Sequence, residues 1–284
     1  MKAIGGTLSR EKRNLKTLNI VFLVLMVLNL FPFFLVLMNS FKSSFEIAKS
    51  ILNFPEHIGL DNYIKAWKTL EFPKAFLNTL IVTVIGNAGL IVFGTMTGYW
   101  ITRSRTHLFN KLFFWLLLAS MAVPFEALMV PMMKVTRVAH LNGSLWGLGV
   151  SYWGLGAAMV VFLTSGAVKS IPYELEEAAR IDGCTRFATF WRVVFPLLRN
   201  TVATFTVLNV FWLWNDYLMP QLMLGRTSEL YTIQLAMRSL FLEYYAMWDV
   251  ALAALILSLM PILIFFFIGQ RYMVSGIVTG AIKG

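Results

Sequence analysis

The chain has 284 residues, of which 58% are hydrophobic and 13% are charged. Soluble globular domains carry about 25% charged residues, so this composition excludes an ordinary soluble domain and predicts a protein that crosses the bilayer several times. The single cysteine, Cys184, excludes an internal disulfide. His57, His107 and His140 lack metal-ligand spacing, and the sequence has no phosphate-binding Gly-rich motif, so we expect neither a metal site nor an ATPase in this chain.

The N-terminal segment, residues 1–17, is polar and basic, and an uncharged apolar run follows over Leu18–Met38. A bilayer core needs about 20 helical residues, so this run predicts a first membrane span. A cleaved signal peptide is the alternative. Its apolar region is usually about 7–15 residues long and ends at a small-residue cleavage site. The run is longer and lacks such a site, so we interpret it as a retained span.

Five further apolar stretches of membrane length follow, separated by polar loops. They are Ala75–Ile101, Leu112–Met133, Leu145–Val168, Thr201–Leu224 and Val250–Ile268. Pro124 and Pro131 are expected to interrupt the third span, and Pro261 is expected to break the sixth. The prediction is an all-α integral membrane protein with six spans over residues 18–268 and a short tail over residues 269–284.

An even number of spans places both termini on one side of the membrane, and the distribution of Lys and Arg indicates which side. The terminal side carries 15 basic and five acidic residues, whereas the other side carries nine basic and seven acidic residues. Because cytoplasmic loops are enriched in Lys and Arg, both termini and the loop over residues 169–200 are predicted to be cytoplasmic. This asymmetry also accounts for the net charge of +10 without nucleic acid as a partner.

The loop over residues 169–200 is polar and charged, and its pattern predicts two short helices. Glu174, Glu176 and Glu177 fall in the first turns, where negative charge complements the helix dipole. Gly183 is a suitable stop because glycine adopts a left-handed conformation without a Cβ clash. Thr185 can then cap the second helix.

The second predicted helix carries one apolar stripe and ends at a proline. Phe187, Phe190, Trp191 and Val194 recur at i, i+3, i+4 and i+7, and Pro196 is expected to end the helix. Taken alone, this pattern is also typical of an amphipathic helix that lies on the membrane surface.

The same loop resembles the coupling loop of permease subunits in ATP-binding-cassette importers. That family has Glu-Ala-Ala, three residues, Gly, nine residues and Ile-x-Leu-Pro. Val193 and Phe195 stand here where the family has Ile and Leu, and both remain apolar. The resemblance implies a type I importer permease fold and a loop that docks into a cleft on the ATPase subunit. The residues assigned to this coupling are Glu174, Glu177, Ala178, Ala179, Asp182, Gly183 and Pro196.

Other stretches resemble the carbohydrate branch of these permeases, which includes the maltose and multiple-sugar importers. They are Asn62 with Tyr63 in GLDNYIKAW, Asn78 with Thr79 in FLNTLIVT, and the run WLWNDYLMP near the end of the fifth span. For the Asn pairs, the alternative is that Asn and Thr cap the helix that enters the membrane. The resemblance implies a sugar as the solute; an importer of the same type for a non-sugar solute is the alternative.

The tail is also similar to the end of this branch, which often has Gly-x-x-x-Gly-Ala-x-Lys-Gly. In some relatives this tail reaches the ATPase dimer, which implies a contact through Gly280 and Lys283. The alternative is a cationic end that lies near anionic lipid.

Glu126 and Asp216 are the acidic residues within the predicted spans. A charged side chain at a helix centre costs about 2.5–3.5 kcal/mol on insertion scales, so both should face a cavity, a partner helix or the headgroup region. One interpretation is a solute path, in which polar groups bind sugar hydroxyls and aromatic rings stack on sugar rings. Its residues are Glu126, Asn209, Trp212, Trp214, Asn215, Asp216 and Tyr217. The alternatives are a position near the outer interface, where Trp and Tyr collect, and an intramembrane enzyme that uses the two carboxylates as acid and base.

The resemblance implies an assembly in the bacterial cytoplasmic membrane. A second, similar permease would pair with this chain, and two ATP-binding subunits would bind the ATP and Mg, so no cofactor is expected on this chain. An extracytoplasmic solute-binding protein would deliver the sugar to the loops over Asn39–Lys74, Lys134–Ser144 and Gly225–Asp249. The implied mechanism is alternating access, driven by closure of the ATPase pair.

Overall fold

The computed structural model describes residues 2–104, 108–225, 229–242 and 247–281, and the regular elements within these ranges are all helical. The first six are α1 (Lys2–Asn39), α2 (Ser44–Lys49), α3 (Asp61–Thr69), α4 (Phe72–Gly89), α5 (Thr95–Arg103) and α6 (Leu108–Ser120). The next six are α7 (Phe125–Val138), α8 (Leu145–Lys169), α9 (Glu174–Ile181), α10 (Arg186–Thr189), α11 (Phe195–Leu197) and α12 (Arg199–Asn215). The last are α13 (Leu218–Leu224), α14 (Ile233–Met237), α15 (Ser239–Leu242) and α16 (Trp248–Ala281).

Two π-helical segments join some of these helices without a break in the chain's helical path. Leu90–Gly94 connects α4 to α5, and Phe190–Val194 connects α10 to α11. The first makes Phe72–Arg103 one continuous helical stretch.

Four helical stretches among the described residues are long and apolar enough to cross a membrane. They are Leu15–Asn39, Phe72–Arg103, Leu145–Lys169 and Trp248–Gln270. These stretches confirm the first, second, fourth and sixth predicted spans as continuous apolar helices. Two bent helix pairs bring the number to six if each pair is one span, so the six-span topology and the side of the termini stay predictions.

The third predicted span is bent. Helices α6 and α7 meet at 116°, because Pro124 takes an extended conformation with ψ of 140° between them. Proline lacks the N–H that would continue the helix, which explains the break at this position. The prediction that Pro131 interrupts the span is wrong, and so is the prediction that Pro261 breaks the sixth. Both lie inside continuous helices, where the loss of one hydrogen bond is tolerated.

The fifth predicted span, Thr201–Leu224, is not one helix. Helix α12 ends at Asn215, Asp216 is extended with ψ of 130°, and α13 begins at Leu218. The second bent pair lies before this break, where Arg186–Leu197 and Arg199–Asn215 meet at 77°.

The helices fall into two compact units. One comprises residues 1–69 and 240–257, and the other comprises residues 70–239 and 258–284. In the first unit, Asn62 in α3 donates its amide to the carbonyls of Ser40 and Lys42 at 3.0 and 2.8 Å. Tyr63 shares a 2.6 Å hydrogen bond with the Ser40 hydroxyl. Asn62 and Tyr63 therefore fix the turn after α1, and the interpretation of Asn62 as a cap of the helix that enters the membrane is wrong.

A carboxylate organises the next turn of the first unit. Glu46 accepts hydrogen bonds from the amides of Glu56 at 2.9 Å and Ser43 at 2.8 Å, and from the Ser43 hydroxyl. The hydrogen bond from the Glu56 amide, followed by those from Ser43, lowers the pKa of Glu46 from 4.5 to about 2. The ionised carboxylate thus joins the start of α2 to the chain ten residues later.

In the second unit, α8 packs against α4 and α5, and the closest approaches occur at glycines. A Cβ on Gly89 would lie 2.0 Å from the ring of Trp153, and a Cβ on Gly149 would lie 2.6 Å from Ile85. Trp153 is held there because its indole N–H donates to the carbonyl of Ile85 at 2.8 Å. Small residues let membrane helices approach closely and pack, and here they let the indole lie against the α4 backbone.

We expect Glu46 to order its loop in a pH-dependent manner. Its folded pKa lies below the unfolded value, so the stabilisation is complete above about pH 4.5 and is lost as the pH falls towards 2. Hydrogen exchange should show protection of the Ser43 and Glu56 amides, relative to intrinsic rates, that decreases over this range. Glu46→Gln should remove the pH dependence, and Glu56→Gln should keep it. An unchanged pH dependence in Glu46→Gln would contradict the assignment.

Gly89→Ala should destabilise the second unit. The new methyl group would displace Trp153 and weaken its bond to Ile85, and overpacking of this kind costs about 1–3 kcal/mol. Gly166→Ala is the matched control, because Gly166 is exposed in α8 and nothing lies within 4 Å of the added Cβ. Thermal unfolding of the purified chain in detergent measures both. Equal melting temperatures for the two variants would show that the close approach is not structurally important.

Candidate functional site

The loop over residues 169–200 forms the two helical pieces that the sequence predicts. Gly183 has φ of +86°, with its amide bonded to the Arg180 carbonyl at 3.0 Å, and it ends α9 as expected. The next amide, that of Cys184, donates to the Ala179 carbonyl at 2.9 Å, and the Cys184 side chain is half-buried. Thr185 accepts a 3.2 Å hydrogen bond from the Ala188 amide, which confirms the predicted cap.

The second helical piece differs from the prediction in its geometry. Its π-helical segment places Phe190 and Val194 in a buried cluster, while Phe187 is 62% exposed. Trp191 packs against the same cluster, so three of the four residues of the predicted apolar stripe pack together, and Phe187 lies outside the cluster. The helix ends at Leu197, one residue after Pro196, and the chain then turns into α12, so the predicted end is confirmed to within one residue.

The outer face of this loop combines acidic and apolar side chains. Among the residues predicted for coupling, Glu174, Glu177, Ala178, Asp182, Gly183 and Pro196 are exposed. Ala179 is buried, so its side chain does not belong to this face. Large apolar residues that the sequence analysis did not assign to coupling also lie exposed in the same loop, among them Leu175, Ile181 and Phe187. The helical period places Ile181 one turn after Glu177, and a pattern of apolar and acidic residues on one face is the signal that could have found it.

The opposite face of α9 carries a buried carboxylate. Glu176 is 0% exposed, accepts a 2.6 Å hydrogen bond from Arg103 Nε and accepts a 2.7 Å hydrogen bond from the Tyr99 hydroxyl. Arg103 also donates from Nη2 to the Ile171 carbonyl at 3.0 Å. The ring of Tyr173 lies 5.5 Å from the guanidinium of Arg103. The carboxylate, the guanidinium and the hydroxyl therefore form one polar cluster between α5 and α9.

The polar residues around the α12 break are brought together as predicted, but their roles differ. Asp216 accepts a 2.6 Å hydrogen bond from the Tyr152 hydroxyl and a 3.0 Å hydrogen bond from the Leu218 amide. One carboxylate oxygen thus accepts from Tyr152 in α8, and the other accepts from Leu218, the first residue of α13. Trp212 lies edge-on to the Tyr152 ring at 5.3 Å. Asp216 therefore holds the helix break in place.

The neighbouring candidates are divided between surface and interior. Tyr217 lies 5.8 Å from the Arg238 guanidinium, and Asn215 accepts a 3.3 Å hydrogen bond from Gln234. Trp214 is buried and donates to the Ser258 carbonyl at 3.2 Å, so it packs the unit. The contacts of Asn215 and Tyr217 join the end of α12 to Gln234 in α14 and to Arg238 after it, whereas Trp214 contacts α16.

Two of the candidates lie apart from this group. Asn209 is buried two turns before Asp216, and its side-chain nitrogen has no hydrogen-bond partner among the described residues. Glu126 is exposed in the first turn of α7, and neither Asp216 oxygen is bonded to it. The structure therefore does not assemble Glu126 and Asp216 as an acid–base pair.

Asn78 and Thr79 hold the loop that precedes α14. Asn78 donates its amide to the Tyr231 carbonyl at 3.0 Å, and Thr79 accepts a 2.9 Å hydrogen bond from the Ile233 amide. Both lie inside α4 and not at its start, so the interpretation of the pair as a helix cap is wrong. They anchor the segment in which Thr232 caps α14.

A groove of about 510 Å³ runs between α4, α12 and α16 of the second unit. It is lined mainly by apolar side chains, together with Thr83, Asn87 and Thr206. An oxygen of each of these three side chains is buried without a hydrogen-bond partner in the described part of the chain. Such polar atoms are rare within helices that face lipid, because each unsatisfied group is costly there.

The two tail residues predicted to contact an ATPase lie at or beyond the end of the residues that the structure describes. Gly280 lies in the last turn of α16, and Lys283 lies outside the described residues. The contact of this tail with an ATPase stays a prediction.

Comparison with protein families identifies one match over most of the chain. The family model "Binding-protein-dependent transport system inner membrane component" matches residues 90–279. A probable starch degradation products transport system permease protein, AmyC of Thermoanaerobacterium thermosulfurigenes, is 37% identical over 92% of this chain and 94% of its own length. The multiple sugar-binding transport system permease protein MsmG of Streptococcus mutans is 31% identical over 90% of this chain and 93% of its own.

A third relative and a solved structure agree with these likenesses. The melibiose/raffinose/stachyose import permease protein MelC of Bacillus subtilis is 32% identical over 89% of this chain and 91% of its own. A bacterial ABC transporter involved in the import of the acidic polysaccharide alginate has a chain that superimposes with a TM-score of 0.77. That chain is 23% identical, and the alignment covers 93% of this chain and 98% of the other. The two chains therefore share a fold.

The bond between Tyr152 and Asp216 should contribute to stability as a pair. Tyr152→Phe removes the donor and Asp216→Asn removes the charge, and hydrogen bonds to charged groups contribute about 1.5–3 kcal/mol. In a double-mutant cycle, we expect the combined loss in unfolding free energy to be smaller than the sum of the single losses by about 1 kcal/mol. Tyr217→Phe serves as the control, because its ring contact with Arg238 survives. Strictly additive losses would show that the two side chains act independently.

Proposed function

Because the chain belongs to the family of binding-protein-dependent transport system inner membrane components, we propose that it is a membrane-spanning permease subunit of an ATP-driven importer that carries a sugar. The family match covers the loop over residues 169–200 and the whole of α12. The assignment of a sugar as the solute rests on one observation. The relatives described above are permeases for starch degradation products and other sugars. A non-sugar solute remains the second candidate, and a panel of solutes decides between them.

We further propose that this chain couples to its ATPase through the outer face of the loop. An ATPase cleft would take the exposed apolar residues Leu175 and Ile181, while Glu174 and Glu177 offer acceptors to its basic groups. Exposed apolar residues beside polar ones are typical of a protein interaction site. ATP and Mg would bind the partner, and this chain would hold no cofactor.

The proposed topology has six spans, with both termini in the cytoplasm of a bacterial cell. The third span would comprise the bent pair α6 and α7, and the fifth would comprise α12 with α13 after the break at Asp216. The excess of Lys and Arg on the terminal side supports the orientation. The coupling loop then lies on the cytoplasmic side, where an ATPase can reach it.

The remaining partners would occupy the other surfaces. A solute-binding protein would dock on the loops of the outer side, one of which is held to α4 by Asn78 and Thr79. A second permease would pair with this chain, and the sugar path would run between the two. Trp212 is exposed and Tyr217 is half-buried, and both present rings next to polar groups, so they are our candidates for sugar contacts.

Gentle purification tests the coupling proposal directly. An ATP-binding subunit should accompany the chain from its native membrane, and Ile181→Asp should abolish this recovery because a charge replaces a side chain that is 86% exposed on the docking face. Val138→Asp is the matched control, since Val138 is 80% exposed at the end of α7, outside this loop. Recovery of the ATPase with Ile181→Asp would contradict docking through this face.

The same preparation identifies the solute. Addition of the binding protein and one sugar at a time should stimulate ATP hydrolysis for the transported sugar alone. Stimulation by amino acids or peptides, with no response to any mono- or oligosaccharide, would replace the sugar assignment by the non-sugar alternative.

A further inference from the structure

The buried cluster between α5 and α9 has no place in the docking surface. Glu176 lies between the exposed Glu174 and Glu177 in sequence, but its side chain is fully buried and so is not available to a partner protein. It is bound by Tyr99 and Arg103, which are four residues apart and thus occupy one face of α5. The cluster must therefore act within this chain.

The contacts join both helical pieces of the loop to one helix. The Tyr99 hydroxyl donates to Glu176 in α9, while its ring lies 5.2 Å from the ring of Phe190 in the second piece. Arg103 donates to Glu176 and also to the carbonyl of Ile171, which precedes α9. Two side chains of α5 thus contact the loop before, within and after its first helix.

The helix that receives these contacts is a continuous stretch of 32 residues. Tyr99 and Arg103 stand at the end of the continuous stretch Phe72–Arg103, which also carries Asn78 and Thr79 near its opposite end. The π-helical segment at Leu90–Gly94 keeps this stretch unbroken. A displacement applied at Glu176 is therefore carried along a single helix to the loop that Asn78 and Thr79 anchor.

We propose that Tyr99, Arg103 and Glu176 form the link that transmits movement of the docking loop to the second membrane span. This inference rests on the proposed docking of the loop to an ATPase. A fully buried carboxylate is costly once its cation is withdrawn, and Arg103 is only 17% exposed at the side chain. The loop and α5 consequently move together when the loop is displaced, because sliding would separate the charges. The three residues are positioning residues, and none of them touches the solute.

Transport stoichiometry separates this role from simple support of the fold. The complete importer, with its binding protein, is reconstituted in liposomes, and the sugar accumulated per ATP hydrolysed is measured. Tyr99→Phe removes one hydroxyl and retains the ring contact with Phe190. We expect the variant to retain its ATPase subunits and to carry at least about fivefold less sugar per ATP.

The control comes from the same helix. Thr102→Val also removes one hydroxyl, which among the residues that the structure describes bonds only to the Gly98 carbonyl one turn earlier. It should leave the sugar-to-ATP ratio unchanged. A second variant, Glu176→Gln, should lower the ratio as Tyr99→Phe does, and the double variant should be no worse than the stronger single one.

Each outcome has one meaning. If Tyr99→Phe and Glu176→Gln retain the ATPase and transport with the wild-type ratio, the link is refuted and the docking proposal stands. If their deficits add in the double variant, or match the loss of folded complex seen by thermal unfolding, the cluster serves the fold alone and the link is refuted. If the wild-type chain recovers no ATPase subunit, the docking proposal itself fails, and the link fails with it.

Discussion

Backbone polar groups in an apolar chain need partners from the chain itself, and this constraint decides where the helices stop. In hydrocarbon no water is available to an N–H freed by a helix break. The break after α12 satisfies this demand because Asp216 accepts from the Leu218 amide. The segment before α14 does so because Thr79 accepts from the Ile233 amide. At these two places, a polar side chain from a neighbouring turn or helix thus replaces the lost bond.

The same requirement explains why one loop has two chemically different faces. Glu177 remains exposed beside Ile181, whereas Glu176 next to it is buried and paired with Arg103. A carboxylate with water around it is free to meet a partner protein, but a buried one is committed to its cation. Successive residues of α9 therefore divide into an exposed side, which we propose for association, and a side that contacts α5, and this division is compatible with a loop that moves as a rigid piece.

Much of the fold follows from local signals, and the remainder depends on neighbours distant in sequence. Gly183 and Thr185 could be assigned as stop and cap because those roles depend on the residue's own backbone and hydroxyl. The tolerance of Pro131 and Pro261 could not be predicted, since it depends on the helix on either side. Nor could the burial of Glu176, because hydropathy alone places three nearby glutamates on the surface. The partners that bury it, Tyr99 and Arg103, lie more than 70 positions earlier.

Cys184 provides a native thiol for labelling next to the proposed docking face. It is the only cysteine in the chain, it follows Gly183 directly, and its side chain is half-buried. A maleimide fluorophore would therefore label one position without any engineered cysteine, beside the surface that an ATPase would cover. If an ATPase docks as proposed, thiol alkylation would be slower in the assembled importer than on the bare subunit, and its rate could be measured at each stage of the ATP cycle.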